Sequence, residues 1–251
     1  MRILMLTSVY KDEFLGNKDT STNIVNSFVK EWKKQGHEVL VIHNSHCYPR
    51  VIHEIPEKLK KSLAARMGFA ISDYDAVKEK EYQDNGVKVF RLPIKKFIPH
   101  SQPSDNVIKR QVNKIVATLK KEKFEPDVIT GHWASPQMEI ISELKTIYHC
   151  KTAVVLHGTG YIESPKFNAE EYLKNIDSLG ARSLSQAKQI KEILKLDKLP
   201  FVCNSGVPDE YLKNYRLNTE KYRNIKTWKI TYVGRLVSYK NIDSTIKALS
   251  E

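Results

Sequence analysis

Short apolar runs and helical stripes alternate along the first part of the chain. Ile3 to Leu6 form an unbroken apolar run, and Val39, Val41 and Ile42 repeat it beyond Gly36. Runs this short, bounded by polar residues, predict buried strands. Between them Ile24, Val25, Phe28, Val29 and Trp32 recur at helical spacing until Gly36, a residue suited to the left-handed cap of a helix. Strand, helix and strand in this order predict a parallel βαβ unit and an α/β fold with a doubly wound parallel sheet. Ligands in such sheets sit beyond the carboxyl ends of the strands, so the loop Thr7 to Ser21 falls on the ligand edge.

Further along, Pro56 to Ile71, PEKLKKSLAARMGFAI, places Leu59, Leu63, Met67 and Ala70 on one helical face, with Lys58, Lys60 and Lys61 off it. Such a helix either packs on its own domain with a solvated basic face or lies in anionic headgroups. A second basic and apolar patch runs from Leu92 to His100, with Ile94, Phe97 and Ile98 around Lys95 and Lys96. Val87 to Leu92 reads as a strand, and Val107, Ile108, Val112, Ile115, Val116 and Leu119 stripe a long helix. Pro126 to His132 is a strand closing on a glycine turn. Thr152 to Leu156 is the pure apolar run that a strand covered on both faces requires, and Pro200 to Asn204 is a further strand. Near the end, Ile230, Tyr232 and Val233 make a last compact strand, and Asn241 opens a helix through Ile242, Ile246 and Leu249.

Charge and cysteine content narrow the partners. Lys plus Arg number 41 against 29 Asp plus Glu, and the net charge of +12 suits anionic partners such as nucleotide diphosphates, acidic lipids or nucleic acid. No recognised nucleic-acid motif accompanies the charge, so nucleic acid is not an expected partner. Cys47, Cys150 and Cys203 are odd in number and lack a CxxC pair, which argues against a disulfide framework and for a reducing cytoplasm. The start MRILMLTSVY is too short for a signal-peptide core, and no run approaches a membrane span. Any membrane contact would therefore be peripheral, on the inner face.

Candidate chemistry gathers at strand ends. No GxGxxG follows the first strand, which opposes a dinucleotide-binding oxidoreductase. His43, His46, Cys47 and His53 match no zinc spacing and read as a polar loop that carries histidines. Asp73-Tyr74-Asp75 spells DxD but follows a helix rather than a buried strand, and no metal is expected. His157 closes the run Thr152 to Leu156, and Gly158 and Gly160 after it leave room for a ligand. His132 and Trp133 end the preceding strand at the same edge, either packing the turn or touching substrate. Between Val233 and Asn241 stand Gly234, Arg235 and Lys240. A glycine turn from strand into helix aims backbone N–H groups at one spot, and two cations would reinforce a phosphate there. An ordinary turn with solvated cations fits the same residues.

The string VGRLVSYKNID closely resembles the start of the second domain in family 4 retaining glycosyltransferases. KKQGHEVLVI, TGHWASPQMEIIS, HGTGY, SLGARSLSQAKQIKEIL and NSGVPDEYL resemble, in order, segments of that family's first domain. The resemblance implies a Rossmann-like first domain of a GT-B fold over residues 1–210 and a linker over 211–227. Residues 228–251 would then be the start of a truncated nucleotide-sugar-binding domain, whose paired-glutamate motif would lie beyond Glu251. The implied reaction is retaining transfer of a hexose-type sugar from a nucleotide-diphosphate sugar to a saccharide or lipid-linked acceptor, in envelope polysaccharide synthesis, without cofactor or metal. Gly234, Arg235 and Lys240 would hold the donor diphosphate, and His157 with Gly158 the donor sugar beside the reacting carbon. His132, Trp133 and Gly16 would line the acceptor side or the cleft. The chain departs from the family at Asp19-Thr20, where Gly-Gly is usual, at Gly160, where Asp is frequent, and at Pro208. A sugar-nucleotide epimerase of the same fold and a non-catalytic basic binding domain are the other expectations. Residues 1–251 alone are expected to bind donor weakly and turn over little. The strand at Ile230 to Val233, its sheet missing, is expected to pack on the first domain or pair with another molecule.

Overall fold

Alternation within the first apolar run sets the architecture. In β1 (Arg2–Thr7), Leu4 and Leu6 enter one hydrophobic cluster while Ile3 and Met5 enter another, on the opposite face of the sheet. A strand that is apolar on both faces has to be covered on both. The structure, a computed structural model describing residues 1–12, 23–67, 71–96, 101–206, 213, 230–232 and 241–250, shows how the cover is supplied. After β1 come α1 (Ile24–Lys34), β2 (Glu38–His43), β3 (His46–Cys47), α2 (Arg50–Glu54), α3 (Glu57–Met67), α4 (Tyr74–Val77), β4 (Lys80–Asp84), β5 (Val87–Arg91) and β6 (Ile94–Lys95). There follow α5 (Asp105–Lys121), β7 (Val128–His132), α6 (Gln137–Tyr148), β8 (Lys151–Leu156), α7 (Ala169–Leu173), β9 (Ser178–Ala181), α8 (Leu184–Ile193), β10 (Phe201–Val202) and α9 (Ile242–Ala248). Val25 and Val29 of α1 cover the Ile3 and Met5 side. Ile115 and Leu119 of α5, Met138 and Ile141 of α6 and Ala187 and Ile190 of α8 cover the other.

The main sheet has eight strands in the order β10-β9-β8-β7-β1-β2-β5-β4, all neighbours parallel except the antiparallel edge pair β4 and β5. From β1 the chain moves outward to β2, and from β7 it moves outward the other way through β8, β9 and β10. The direction of winding therefore reverses between β1 and β7. Right-handed crossovers then put α1 and α6 on opposite faces, and a crevice opens at the carboxyl ends of these two strands. Thr7 and His132 are register partners at that point.

The expected strands and long helices of residues 1–206 are present, with four corrections. First, the helix beginning at Glu57 divides burial differently at Leu59 and Lys60 from the predicted pattern. Leu59 is 57% exposed, whereas Lys60 is buried and its ammonium lies 2.5 Å from Asp73 Oδ1. The ion pair satisfies the buried lysine and employs the first acid of the DxD string in the fold. Second, the histidine-bearing stretch is not a loop. His43 ends β2, and His46 and Cys47 form β3, which pairs with β6. His53 Nδ1 is 2.8 Å from the Ser72 carbonyl oxygen, while its Nε2 accepts the Tyr48 N–H at 3.0 Å, so that ring clamps backbone. Third, the charged stretch after Asp75 contains an edge strand, β4, whose Tyr82 is buried. Fourth, Ile230 to Tyr232 carry no strand, and Ile230 and Tyr232 are 63% and 45% exposed. Among the described residues no strand runs beside them, and an extended segment gains little without ladder hydrogen bonds.

Contacts divide the chain into Met1–Gly206 and Val207–Glu251. In the second part α9 follows Asn241, whose φ of 50° is left-handed, and Ile246 and Leu249 are exposed.

Candidate functional site

β7 and β8 end side by side, and each delivers a histidine. His132 is the last residue of β7, and its Nδ1 lies 2.8 Å from Nε2 of His157, which follows β8. Between two neutral imidazoles one ring donates and the other accepts. Trp133 stacks on His157 with ring centroids 4.1 Å apart and planes 16° from parallel. To do so its backbone takes φ 73°, and its N–H donates to the Val155 carbonyl at 3.0 Å. A left-handed tryptophan costs about 1–3 kcal/mol and persists only where its surroundings over-determine it. Here the strand bond and the ring stack do so, and the two together fix the orientation of His157.

Burial, and after it the positive charge of Arg182, pushes His157 down to about 4. Burial, then the proximity of His157, then Arg182 push His132 to about 3. Both rings are thus neutral at pH 7 and act as hydrogen-bonding groups rather than as cations. Phe28 from α1 packs on the far side of His132, 5.2 Å between ring centroids.

In front of this pair lies a cavity of about 710 Å³, lined by Trp133, Ala134, His157, Gly158, Gly160 and Tyr161, with Ser101, Gln102, Ser164 and Lys166 around them. Nothing lies within 4 Å of the place where a Cβ on Gly158 or Gly160 would sit, so both glycines border open space. Aromatic rings beside hydroxyl, amide and ammonium groups suit a polar ligand with apolar C–H faces, as a sugar ring is. Close to the cavity wall, Glu139 in the first turn of α6 is buried and accepts the Ser135 hydroxyl at 2.5 Å. Burial raises its pKa to about 7 against the opposing pull of that hydrogen bond, and its second oxygen has no partner among the described residues.

Beneath the crevice runs a buried polar chain. Gln137 Nε2 donates to Ser8 Oγ at 2.7 Å, Asn44 Nδ2 to Gln137 Oε1 at 3.0 Å, and Gln111 Nε2 to Asn44 Oδ1 and the Leu92 carbonyl, both at 2.8 Å. It links the loops after β1, β2 and β5 to α5 and α6, so the strand ends cannot drift apart without breaking it.

Of the residues singled out from the sequence, the structure brings His132, Trp133, His157 and Gly158 together. Gly16, Gly234, Arg235 and Lys240 lie outside the described residues. Periodicity gave no sign of Glu139, Tyr161, Ser164, Lys166 or Arg182. Arg182 lies in SLGARSLSQAKQIKEIL, just ahead of the serine that caps α8.

No family model matches the chain. A protein of Bacillus subtilis (strain 168) described as "Putative teichuronic acid biosynthesis glycosyltransferase TuaC" is 25% identical over 261 residues, covering 99% of this chain and 62% of that protein. A structure described as trehalose-6-phosphate from E. coli bound with UDP-2-fluoro glucose aligns with a TM-score of 0.50 at 10% identity, over 89% of this chain and 53% of that one. A structure described as OtsA in its apo form aligns with the same score and identity, over 84% and 51%. The chain thus spans less than two thirds of these relatives. With its eight-stranded, mostly parallel sheet, it shares the α/β fold of the part of each structure that it covers, about half of a GT-B protein.

Proposed function

We propose that this chain belongs to a retaining glycosyltransferase that moves a hexose-type sugar from a nucleotide-diphosphate sugar to a saccharide or lipid-linked acceptor in envelope polysaccharide assembly. The observation that carries the reading is the neutral, stacked His157 at the end of β8, paired with His132 and facing the cavity at the ligand edge of the sheet. The relative from B. subtilis, aligned over nearly the whole chain, supports it.

In this reading His157 hydrogen-bonds a hydroxyl of the donor sugar next to the reacting carbon, and its locked ring spares the cost of ordering it during reaction. Being neutral, it does not oppose the positive charge that grows on the sugar as the glycosidic bond breaks. Gly158 lets the ligand approach the backbone. Arg235 and Lys240, with Gly234, take the leaving diphosphate, on the strength of the sequence resemblance. Trp133 and Tyr161 offer faces for a sugar ring, and Gly16 is assigned to the acceptor side on the strength of the sequence resemblance. The exposed Leu59, with Lys58 and Lys61 beside it in sequence, belongs to the surface by which the protein would touch an anionic bilayer. Among the described residues no helix is long and apolar enough to cross a membrane.

The test is product analysis of the gene product that carries this chain. Incubation with a panel of nucleotide sugars and saccharide acceptors, read by mass spectrometry and anomeric NMR, is expected to show transfer with the donor's configuration kept. Release of an epimerised sugar, or an inverted linkage, would overturn the assignment.

A further inference from the structure

Arg182 sits where β9 ends, one residue before α8, and its backbone is held on both sides. Its N–H donates to Gln186 Oε1 at 2.7 Å, and the Ser183 hydroxyl caps α8 by accepting the Gln186 N–H at 3.2 Å. Its guanidinium lies 5.9 Å from the centroid of the Phe28 ring, the same ring that packs on His132. Among the described residues no carboxylate forms a salt bridge with it. The Cys203 thiol beside it is a weak acceptor that carries no charge there, because burial raises its pKa. Nη1 is fully buried and has no hydrogen-bond partner among the described residues.

A buried donor on a charged group that lacks an acceptor is costly, and a guanidinium is a planar fork matched to the two oxygens of a carboxylate or phosphate. Its neighbours His132 and His157 are neutral, so they neither neutralise it nor compete for an anion. The three side chains come from the carboxyl ends of adjacent strands β7, β8 and β9, where a doubly wound sheet presents its ligands.

We infer that Arg182, flanked by His132 and His157, is an anion site that receives a carboxylate or phosphate group carried by the sugar substrate. The inference rests on the sugar-transfer reading for the word sugar; the anion chemistry comes from the guanidinium itself. A neutral hydroxyl would fill one donor but leave the charge unmatched, so the site selects acidic or phosphorylated sugars over their neutral counterparts.

Equilibrium binding to residues 1–251 tests it, read from the imidazole and Trp133 indole resonances, with glucuronate, glucose 1-phosphate and inorganic phosphate as probes and glucose as the neutral control. At least one anionic sugar is expected to shift the His157 signals saturably and about tenfold or more tightly than glucose. Glucuronate alone would identify a carboxylate ligand. Glucose 1-phosphate together with inorganic phosphate would identify a phosphate. Arg182→Met is expected to erase the preference, and Arg182→Lys to weaken it, since an ammonium keeps the charge but loses the fork. Should Arg182→Met fail to fold, as judged by its amide spectrum, the wild-type ratio and Arg182→Lys decide the matter. Equal affinity for glucose and the anions, absence of any saturable shift, or an undiminished preference in Arg182→Lys would overturn the inference. No step of this experiment requires turnover, so loss of the anion preference leaves the transfer assignment standing, and failure of transfer leaves the anion site to be judged by binding.

Discussion

A Cβ on Gly131 would meet Ile141 Cδ1 at 2.7 Å and Gln137 Cβ at 3.1 Å, because α6 starts directly against the end of β7. Gly131→Ala is therefore expected to cost about 1–3 kcal/mol in denaturant unfolding and to disturb the neighbouring His132 signals. Gly158 has open space instead. Gly158→Ala is expected to change stability by less than about 0.5 kcal/mol yet weaken binding of ligand in the cavity; unchanged sugar binding in that variant would detach the glycine from the site. The histidine pair adds a pH signature. Both folded-state pKa values lie below the ordinary 6.5, so the unfolded chain binds more protons in the interval between. Their contribution to stability is present above about 6.5 and is lost as pH falls toward about 4 and 3. Urea unfolding between pH 7.5 and 4.5 is expected to show this loss, with a shallower slope in His132→Gln; an identical slope would place the titrating groups elsewhere.

Among the elements, the antiparallel edge depends on a buried charge cluster. Arg91 at the end of β5 donates to Asp12 Oδ2 at 2.9 Å and to the Asp75 carbonyl at 3.0 Å, and Lys80 of β4 reaches the same Asp12 oxygen at 2.9 Å. Arg91 and Asp12 are fully buried. Burial disfavours the Asp12 carboxylate, but the hydrogen bonds from Lys80 and Arg91 outweigh it and hold the pKa below the ordinary 3.8. That contribution is present above the ordinary value and disappears as pH falls below it. Arg91→Met takes a buried cation from a buried carboxylate and is expected to destabilise the protein by about 3–5 kcal/mol, measured by chemical denaturation. A loss below about 1 kcal/mol would mean that water already reaches Asp12.

These elements also show what periodicity makes legible. The runs Ile3 to Leu6 and Val39 to Ile42 announced buried strands, and Val25 with Val29 announced the helix that covers one face, since apolar spacing reports burial directly. Lys60 and Arg91 gave no such sign, because a charged side chain is buried only when a partner distant in sequence, Asp73 or Asp12, satisfies it. The same limit hid the chain from Ser8 to Gln111 and the role of Arg182. His157 was legible because it ends an apolar strand before two glycines, whereas its lock by Trp133 depends on a left-handed residue that the sequence does not mark.

On the scale of the whole molecule, the winding reversal between β1 and β7 places the crevice, and the net charge of +12 favours anionic ligands. Binding of an anionic ligand at Arg182 is expected to weaken as salt rises, steeply for a screened field and little for a contact confined to the buried guanidinium. We propose above all that His157 meets the donor sugar beside the reacting carbon. The measurement that bears on it most directly is steady-state sugar transfer by the gene product carrying this chain, wild type against His157→Ala, at saturating donor. His157→Ala is expected to lower kcat about 100-fold or more with the fold intact by circular dichroism. Turnover within twofold of wild type would contradict it.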